Sequence, residues 1–339
     1  MYQLIQPQLT REELQAVFRG IDHARVGLIG DLCLDVYWHA DMRRSELSRE
    51  TPHFPLPIVQ ERYSPGGAAN VACNIAALQP KVLRVVSLIG NDWRGDLLIR
   101  ALEERGIDCS SVFRMDSLTT NTYIKPLRCG LSNVVYEDPR IDFENRTPIS
   151  AEQEAVLLDA VRRMAEETDV ICVSDQMTYG VVTPAVRELL CALGKSGKTV
   201  IVDSRNNIAD YQYVTVKPNE IEAARAFAPD TPQTLDSLAP LALKMADRNE
   251  RLALLTVGEN GCFVAENGTV TRCAAFEVPP PIDFCGAGDT FMSGFACALA
   301  GGAVPTRAAQ VATLCSSVTI RKIGVTGTAT REELFSLVR

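Results

Sequence analysis

Between Asp283 and Thr290 the chain reads Asp-Phe-Cys-Gly-Ala-Gly-Asp-Thr. The two glycines let the main chain approach an anion closely. The segment that follows, Thr290 to Leu299, predicts a helix whose first-turn amides turn a partial positive charge toward the same spot. Gly286, Ala287 and Gly288 are therefore candidates to offer backbone N–H groups to a phosphoryl group, and Asp289 places a carboxylate beside them. Phosphate-binding amides together with one acid are the inventory of phosphoryl transfer to an alcohol, where positioning and charge neutralisation dominate and the hydroxyl proton needs an acceptor late in the reaction. Asp289 is the candidate base. An ordinary carboxylate pKa of about 4 makes it a weak one, which a late proton transfer tolerates. The structural alternative is that Asp289 only caps the helix, a position where Asp is favoured.

The elements that must position these groups alternate along the chain. Apolar runs of strand length stand at Val26–Ile29, Val82–Ile89, Val170–Val173, Thr199–Val202, Tyr213–Val216 and Leu252–Val257. Between many of them lie helical patterns, notably Asn70–Leu78, Asp96–Glu104, Glu152–Glu166 and Thr183–Leu193. Continuous apolar strands alternating with amphipathic helices predict a mainly parallel sheet covered on both faces. Tyr37–Arg62 and Val112–Glu144 break the rhythm and predict a small separate sheet. Asp31 and Asp35 fall at or just beyond the C-terminal end of the first long strand, the rim on which open α/β sheets bind ligands. Carboxylates there accept hydrogen bonds from vicinal hydroxyls.

A second glycine-rich helix start, Ser64-Pro65-Gly66-Gly67-Ala68-Ala69-Asn70, precedes the first by more than two hundred residues. An early G-G-x-x-N and a late D-x-x-G-A-G-D, with Gly30-Asp31 through Asp35, Asn219-Glu220-Ile221-Glu222 and Thr256-Val257-Gly258-Glu259-Asn260-Gly261 in order between and around them, resemble the ribokinase-like (PfkB) family of sugar kinases. The resemblance runs from about Val26 to the C-terminus. It implies one domain over residues 1–339, a ribokinase-like three-layer α/β sandwich with a small β-sheet lid made by segments 37–62 and 112–144. It implies ATP and Mg²⁺ as cofactors and leaves a monovalent cation open. It makes Asp289 the family's catalytic base, Gly286, Ala287 and Gly288 its anion hole, and Asp35, with Asp31, Gly66, Gly67 and Asn70, the sugar-binding group. Asn219 and Glu222 become the element that organises water around Mg²⁺, with Thr256, Gly258 and Gly261 in the turn beneath the nucleotide. An Asn cap followed by a first-turn Glu also stabilises a helix without any metal. In this family the lid is often a dimer contact, so a homodimer through it is an expectation.

Departures from the family pattern are local. Phe284 and Cys285 replace small or hydroxyl residues without removing a backbone amide, and Gln79 stands where a turn glycine is usual. Within the family, Leu34-Asp35-Val36-Tyr37-Trp38 with Asp41, and Arg140-Ile141-Asp142-Phe143-Glu144, resemble the kinase domain of bacterial heptose 7-phosphate kinases, which phosphorylate C1. That domain is often fused to a nucleotidyltransferase with an H-x-G-H motif; histidines stand here only at 23, 39 and 53, so a stand-alone kinase is expected. Arg43, Arg44, Arg140 and Arg205 are candidates to hold the substrate's own phosphate, because arginine offers paired planar hydrogen bonds. Ribose or fructose is the alternative substrate.

Composition bounds the rest. Of 339 residues 46% are apolar, ample for a buried core, and the net charge of −8 argues against a nucleic-acid partner. Local amides, Mg²⁺ and arginines must therefore carry the binding of anionic ligands. No eighteen-residue apolar run predicts a membrane span, and the first twenty residues lack a signal-peptide pattern, so a cytoplasmic protein is expected. The eleven cysteines include no C-x-x-C pair and read as reduced core residues. Gly194-Lys195-Ser196-Gly197-Lys198-Thr199 imitates a phosphate-binding P-loop, but Ala192 occupies its required first glycine, and a helix precedes where a strand is needed. A nicotinamide-dependent dehydrogenase is disfavoured because no G-x-G-x-x-G follows the first long strand. A non-catalytic sensor of the same fold is disfavoured by the intact G-A-G-D run.

Overall fold

The structure, a computed structural model, describes residues 2–230 and 232–338. In chain order its strands are β1 Gln3–Ile5, β2 Arg25–Gly30, β3 Leu32–Asp41, β4 Ile58–Gly67, β5 Val82–Gly90, β6 Val112–Met115, β7 Asn121–Cys129, β8 Tyr136–Glu137 and β9 Ile141–Phe143. They continue as β10 Val170–Asp175, β11 Thr199–Ser204, β12 Thr215–Val216, β13 Ala253–Thr256, β14 Cys262–Glu266 and β15 Thr269–Cys273. Among the described residues ten of them form one sheet in the order β1-β15-β14-β13-β12-β11-β10-β2-β5-β6. The pairs from β13 through β6 are parallel, while β14 and β15 add an antiparallel hairpin at one edge. A second sheet, β4-β3-β7-β8 with β9 on β7, stands apart from it.

Strand periodicity divides the core. Val26 and Leu28 of β2, with Val170 and Cys172 of β10, join one cluster with Val71, Ile75, Phe291 and Phe295. Ile29, Ile171 and Val173 point the other way, into Leu157, Val161 and Leu190. Successive strand residues face opposite sides, so a continuously apolar strand is what a sheet with helices on both faces requires. The fold is the expected three-layer sandwich with a small second sheet.

Three details differ from the sequence reading. Val112–Met115 does not belong to the small sheet: after the helix Trp93–Glu103 it crosses back and pairs parallel with β5 at the central sheet's edge. The lid boundary at residue 112 therefore moves to Asn121. Conversely, β3 begins at Leu32, so Asp35 lies inside the small sheet's middle strand. The helix after the G-A-G-D run spans Ala287–Ala300, which makes Gly286 its N-cap and puts Asp289 in the first turn. Gln79 adopts φ 54°, the left-handed conformation that favours glycine. Seven cysteines are buried, and Cys285 is exposed.

Asp31, expected to bind substrate, does something else. Its carboxylate is buried and accepts backbone N–H groups from Gln176 (2.9 Å), Met177 (2.9 Å) and Val181 (2.8 Å). It thereby clamps the loop after β10 onto the end of β2. Burial pushes its pKa up to about 6 against the pull of those three amides. Buried to 1% exposure and with three of its roughly four acceptor positions taken by the main chain, Asp31 is not open to a sugar. Asp31→Ala should lower the free energy of urea unfolding by about 3 kcal/mol or more, since each buried N–H left unpaired costs about 1–3 kcal/mol. An unfolding curve superimposable on that of the parent protein would refute the clamp.

Candidate active site

The two glycine-rich motifs meet through their polar side chains. Asn70, in the first turn of the helix Ala68–Ala77, donates from Nδ2 to Asp289 Oδ2 at 2.8 Å across 219 residues of sequence. Asn74, one turn on, donates to Asn70 Oδ1 at 3.2 Å and accepts from Thr290 Oγ1 at 3.0 Å. Gly67 (φ 53°) and Gly286 (φ 78°) are the N-caps of the two helices, each in a conformation that costs other residues strain. A Cβ on Gly286 would also meet Asn70 Nδ2 at 2.7 Å.

Asp289 is half-buried. Loss of hydration pushes its pKa up to about 7; the Asn70 hydrogen bond opposes this, Asp203 adds to it, Lys217 opposes it, and Asp35 adds to it. That lies well above the ordinary carboxylate value of about 4 from which a weak base was expected. The amides beside it need one correction too. The Ala287 N–H turns back to Phe284 O (3.1 Å) because left-handed Gly286 folds the turn tightly. Among the described residues the N–H groups of Gly286, Gly288 and Asp289 have no such acceptor, so those three amides, and not that of Ala287, are free to meet an anion. Asp283 fixes the turn, accepting from Cys285 N (2.9 Å) and Gly324 N (2.8 Å).

On the other side of the crevice, Asp35 of β3 is buried, and the charges that act on it, Lys125 of β7 and Arg140, do so without a hydrogen bond to its carboxylate. Burial raises its pKa, and those two cations oppose the rise. Gly66 clears its space: a Cβ there would stand 2.9 Å from Asp35 Oδ2. Arg140 pairs with Asp142 (2.6 Å) and lies over the Tyr123 ring at 4.1 Å. Lys125 Nζ reaches the Tyr37 hydroxyl at 3.3 Å. Lys125 escaped the sequence reading; the signal was a lysine inside the alternating β7, on a strand adjacent to that of Asp35. Arg205 is not in this group. It is exposed after β11, which β10 separates from β2, about 10 Å away at ordinary strand spacing, and Arg225 bonds its carbonyl. Arg43 and Arg44 are held by Asp41 at the far end of β3, roughly 20 Å beyond Asp35.

The third wall is formed by the strand ends of β11, β12 and β13. Asn219 and Glu222 make a reciprocal capping box: Asn219 Oδ1 accepts from Glu222 N (2.9 Å) and Glu222 Oε2 accepts from Asn219 N (3.0 Å). One Glu222 oxygen remains outside the cap, and burial with the nearby Asp203 raises its pKa. Thr256 bridges to Asn219 and bonds Pro218 O, which joins the T-x-G turn to this wall. Gly258 (φ 54°) and Gly261 (φ 88°) shape that turn, and a Cβ on Gly261 would strike Cys273 O at 2.0 Å. Among the described residues no group of three or more His, Cys, Asp or Glu is placed to hold a metal ion by itself. A cation that keeps most of its water and takes nucleotide phosphates, as Mg²⁺ does, fits a wall offering one spare carboxylate oxygen at Glu222.

Comparison with known proteins places the chain in a family. A family model described as pfkB family carbohydrate kinase matches residues 34–331. The bifunctional protein HldE of Citrifermentans bemidjiense is 32% identical over 330 residues, 96% of this chain and 65% of that protein. The chain therefore spans just under two thirds of the length of such relatives. A ribokinase of Thermotoga maritima superposes with a TM-score of 0.67 at 22% identity, covering 92% of this chain and 98% of its own. The Arabidopsis thaliana ribokinase complexed with ribose and ATP gives 0.69 at 19%, covering 93% and 98%. The chain belongs to the pfkB family of carbohydrate kinases, phosphotransferases with an alcohol group as acceptor. No helix among the described residues is long and apolar enough to cross a membrane.

The Asp289 environment carries a pH signature. A base must be deprotonated, so kcat/KM should climb as pH rises through about 7 and level off above it. In Asn70→Ala the carboxylate loses the donor that favours its charged form, and the acid limb should move upward by roughly one pH unit. A limb that stays in place in that variant would remove Asn70 from this role.

Proposed function

We propose that this protein transfers the γ-phosphoryl group of ATP to a hydroxyl of a sugar phosphate, with C1 of a heptose 7-phosphate as the preferred acceptor. The observation that carries the reading is the convergence, in one crevice, of a raised-pKa carboxylate with uncommitted first-turn amides on one side and a buried carboxylate free of protein donors on the other. Asp35 would orient the sugar through its hydroxyls, with Gly66 and Gly67 giving room and Asn70 reaching both Asp289 and the same space. Asp289 would take the proton from the attacking hydroxyl, and the amides of 286, 288 and 289 would stabilise charge on the transferring phosphoryl. Asn219, Thr256, Gly258 and Gly261 would line the nucleotide. Glu222 would hold Mg²⁺ through water, and the ion, when bound, neutralises phosphate charge.

Likeness to HldE proteins over nearly the whole chain supports the heptose reading, as do the two cations, Lys125 and Arg140, beside Asp35. Of the four arginines expected to hold the substrate's own phosphate we keep Arg140, and Lys125 joins it in place of Arg43, Arg44 and Arg205. Exposed Ile58, Val59, Val134, Val135 and Tyr136 in and beside the small sheet support a homodimer through that sheet. A cytoplasmic site of action is part of the same proposal.

Asp289→Asn should keep the fold and nucleotide binding and lose about 10²- to 10⁴-fold in kcat, the usual contribution of a positioned base. Turnover within about threefold of the parent would exclude Asp289 as the base.

ADP release measured over a panel of sugars and sugar phosphates tests the acceptor. A heptose 7-phosphate should exceed the unphosphorylated heptose by roughly 10- to 150-fold in kcat/KM, and Lys125→Ala or Arg140→Ala should erase most of that ratio while sparing the KM for ATP. Preference for free ribose or fructose would overturn the heptose assignment and leave the kinase reading in place.

A further inference from the structure

Lys217 stands immediately after β12 and ahead of Pro218 and Asn219, and its side chain is 3% exposed. A buried ammonium is costly unless it is paired, and Lys217 Nζ lies 3.0 Å from Asp203 Oδ2 at the end of β11. Asp203 accounts for one of its three N–H donors. The ammonium also faces the turn proposed to bind the phosphoryl group: a Cβ on Gly288 would be 3.7 Å from Lys217 Nζ, the nearest atom outside the helix's own backbone and the neighbouring residues. Around it stand Asp203, Glu222 and Asp289, three acids from three different elements. Burial disfavours its charge, but Asp203, Glu222 and Asp289 together more than offset that, so Lys217 stays protonated.

We propose that Lys217 is a catalytic cation of the phosphoryl-transfer site, contacting the transferring group beside the Gly288 amide. This inference rests on the assignment of that turn to the phosphoryl group. A single positive charge among three carboxylates leaves a net charge of −2 when all are ionised, which one divalent cation cancels. An ammonium fixed in advance beside the amides supplies positive charge where charge moves during transfer, without reorganisation at the moment of reaction. Asp203, on this reading, positions Lys217.

The test compares the parent protein with Lys217→Gln and Lys217→Arg. It uses MgATP and heptose 7-phosphate, or, where that acceptor has failed, the sugar that releases most ADP in the panel. Lys217→Gln should lower kcat and kcat/KM together by about 10²-fold per folded molecule, the pattern of an interaction made in the transition state, with the KM for sugar unchanged. Its acid limb should also move upward, because Asp289 loses its positive neighbour while Asp35, Asp203 and the Asn70 donor remain. Lys217→Arg, which keeps the charge, should recover a substantial part of the rate. If Lys217→Gln fails to fold, Asp203→Asn is compared with the double variant Asp203→Asn, Lys217→Gln, where the stranded carboxylate is gone. A kcat within about threefold in either comparison would reduce Lys217 to a structural counter-ion. If Asp289→Asn is also fully active, the site assignment itself has failed; if only the Lys217 variants are active, this proposal alone falls.

Discussion

The hydrogen bond from Asn70 to Asp289 is the contact on which the rest of the crevice depends. It closes a loop of 219 residues and can form only if two helices start at the same point. Each start is enforced by a glycine in a left-handed or otherwise restricted conformation, and each helix is packed against the same face of the sheet through small and apolar residues such as Val71, Ile75, Phe291 and Phe295. Asn74 and Thr290 form a second tie one turn deeper. Asp289 is therefore held by the core's own packing. Its polarity is held in balance too, since burial raises its pKa while Asn70 restrains the rise.

Around that junction the site is assembled from rims. β2 and β3 deliver Asp35, β11 to β13 deliver the wall that carries Asn219, Glu222 and Thr256, and Asp283 ties the G-A-G-D turn to the segment around Gly324. Because open α/β sheets place loops at the C-terminal ends of their strands, residues distant in sequence converge there without special folding. The buried Asp203–Lys217 pair has the same origin: it joins the ends of two neighbouring parallel strands.

Much of this was legible beforehand. The alternation of apolar strands and amphipathic helices gave the layered sheet, and the two glycine-rich runs gave two helix starts, because glycine patterns report backbone needs that few other residues meet; that Asn70 and Asp289 bond each other appears only in the structure. What was hidden followed from side-chain direction. Asp31 and Asp35 look equivalent in sequence, yet the chain leaves one sheet and enters another between them, so one carboxylate turns into the main-chain amides of residues 176–181 and the other into the crevice. Lys125 and Lys217 could not be distinguished from surface lysines until the partners were known. Val112–Met115 alternates like an exposed strand but pairs at the edge of the central sheet, where one face is open. The Asn267-Gly268 pair (φ 49° and 73°) makes the tight hairpin between β14 and β15, a turn that an Asn-Gly pair signals in sequence.

The short passage between the two sheets has a mechanical meaning. Only Asp31 separates β2 from β3, and Asp31 is pinned by three amides, so the small sheet leaves the large one at a fixed pivot. Measured along β3, Asp35 is four residues from that pivot and Asp41 is ten. Any tilt of the small sheet thus sweeps the outer end through an arc about two and a half times that of Asp35. The arrangement has the geometry of a lever with Asp35 close to the fulcrum, so a given tilt would displace the outer rim far more than that carboxylate.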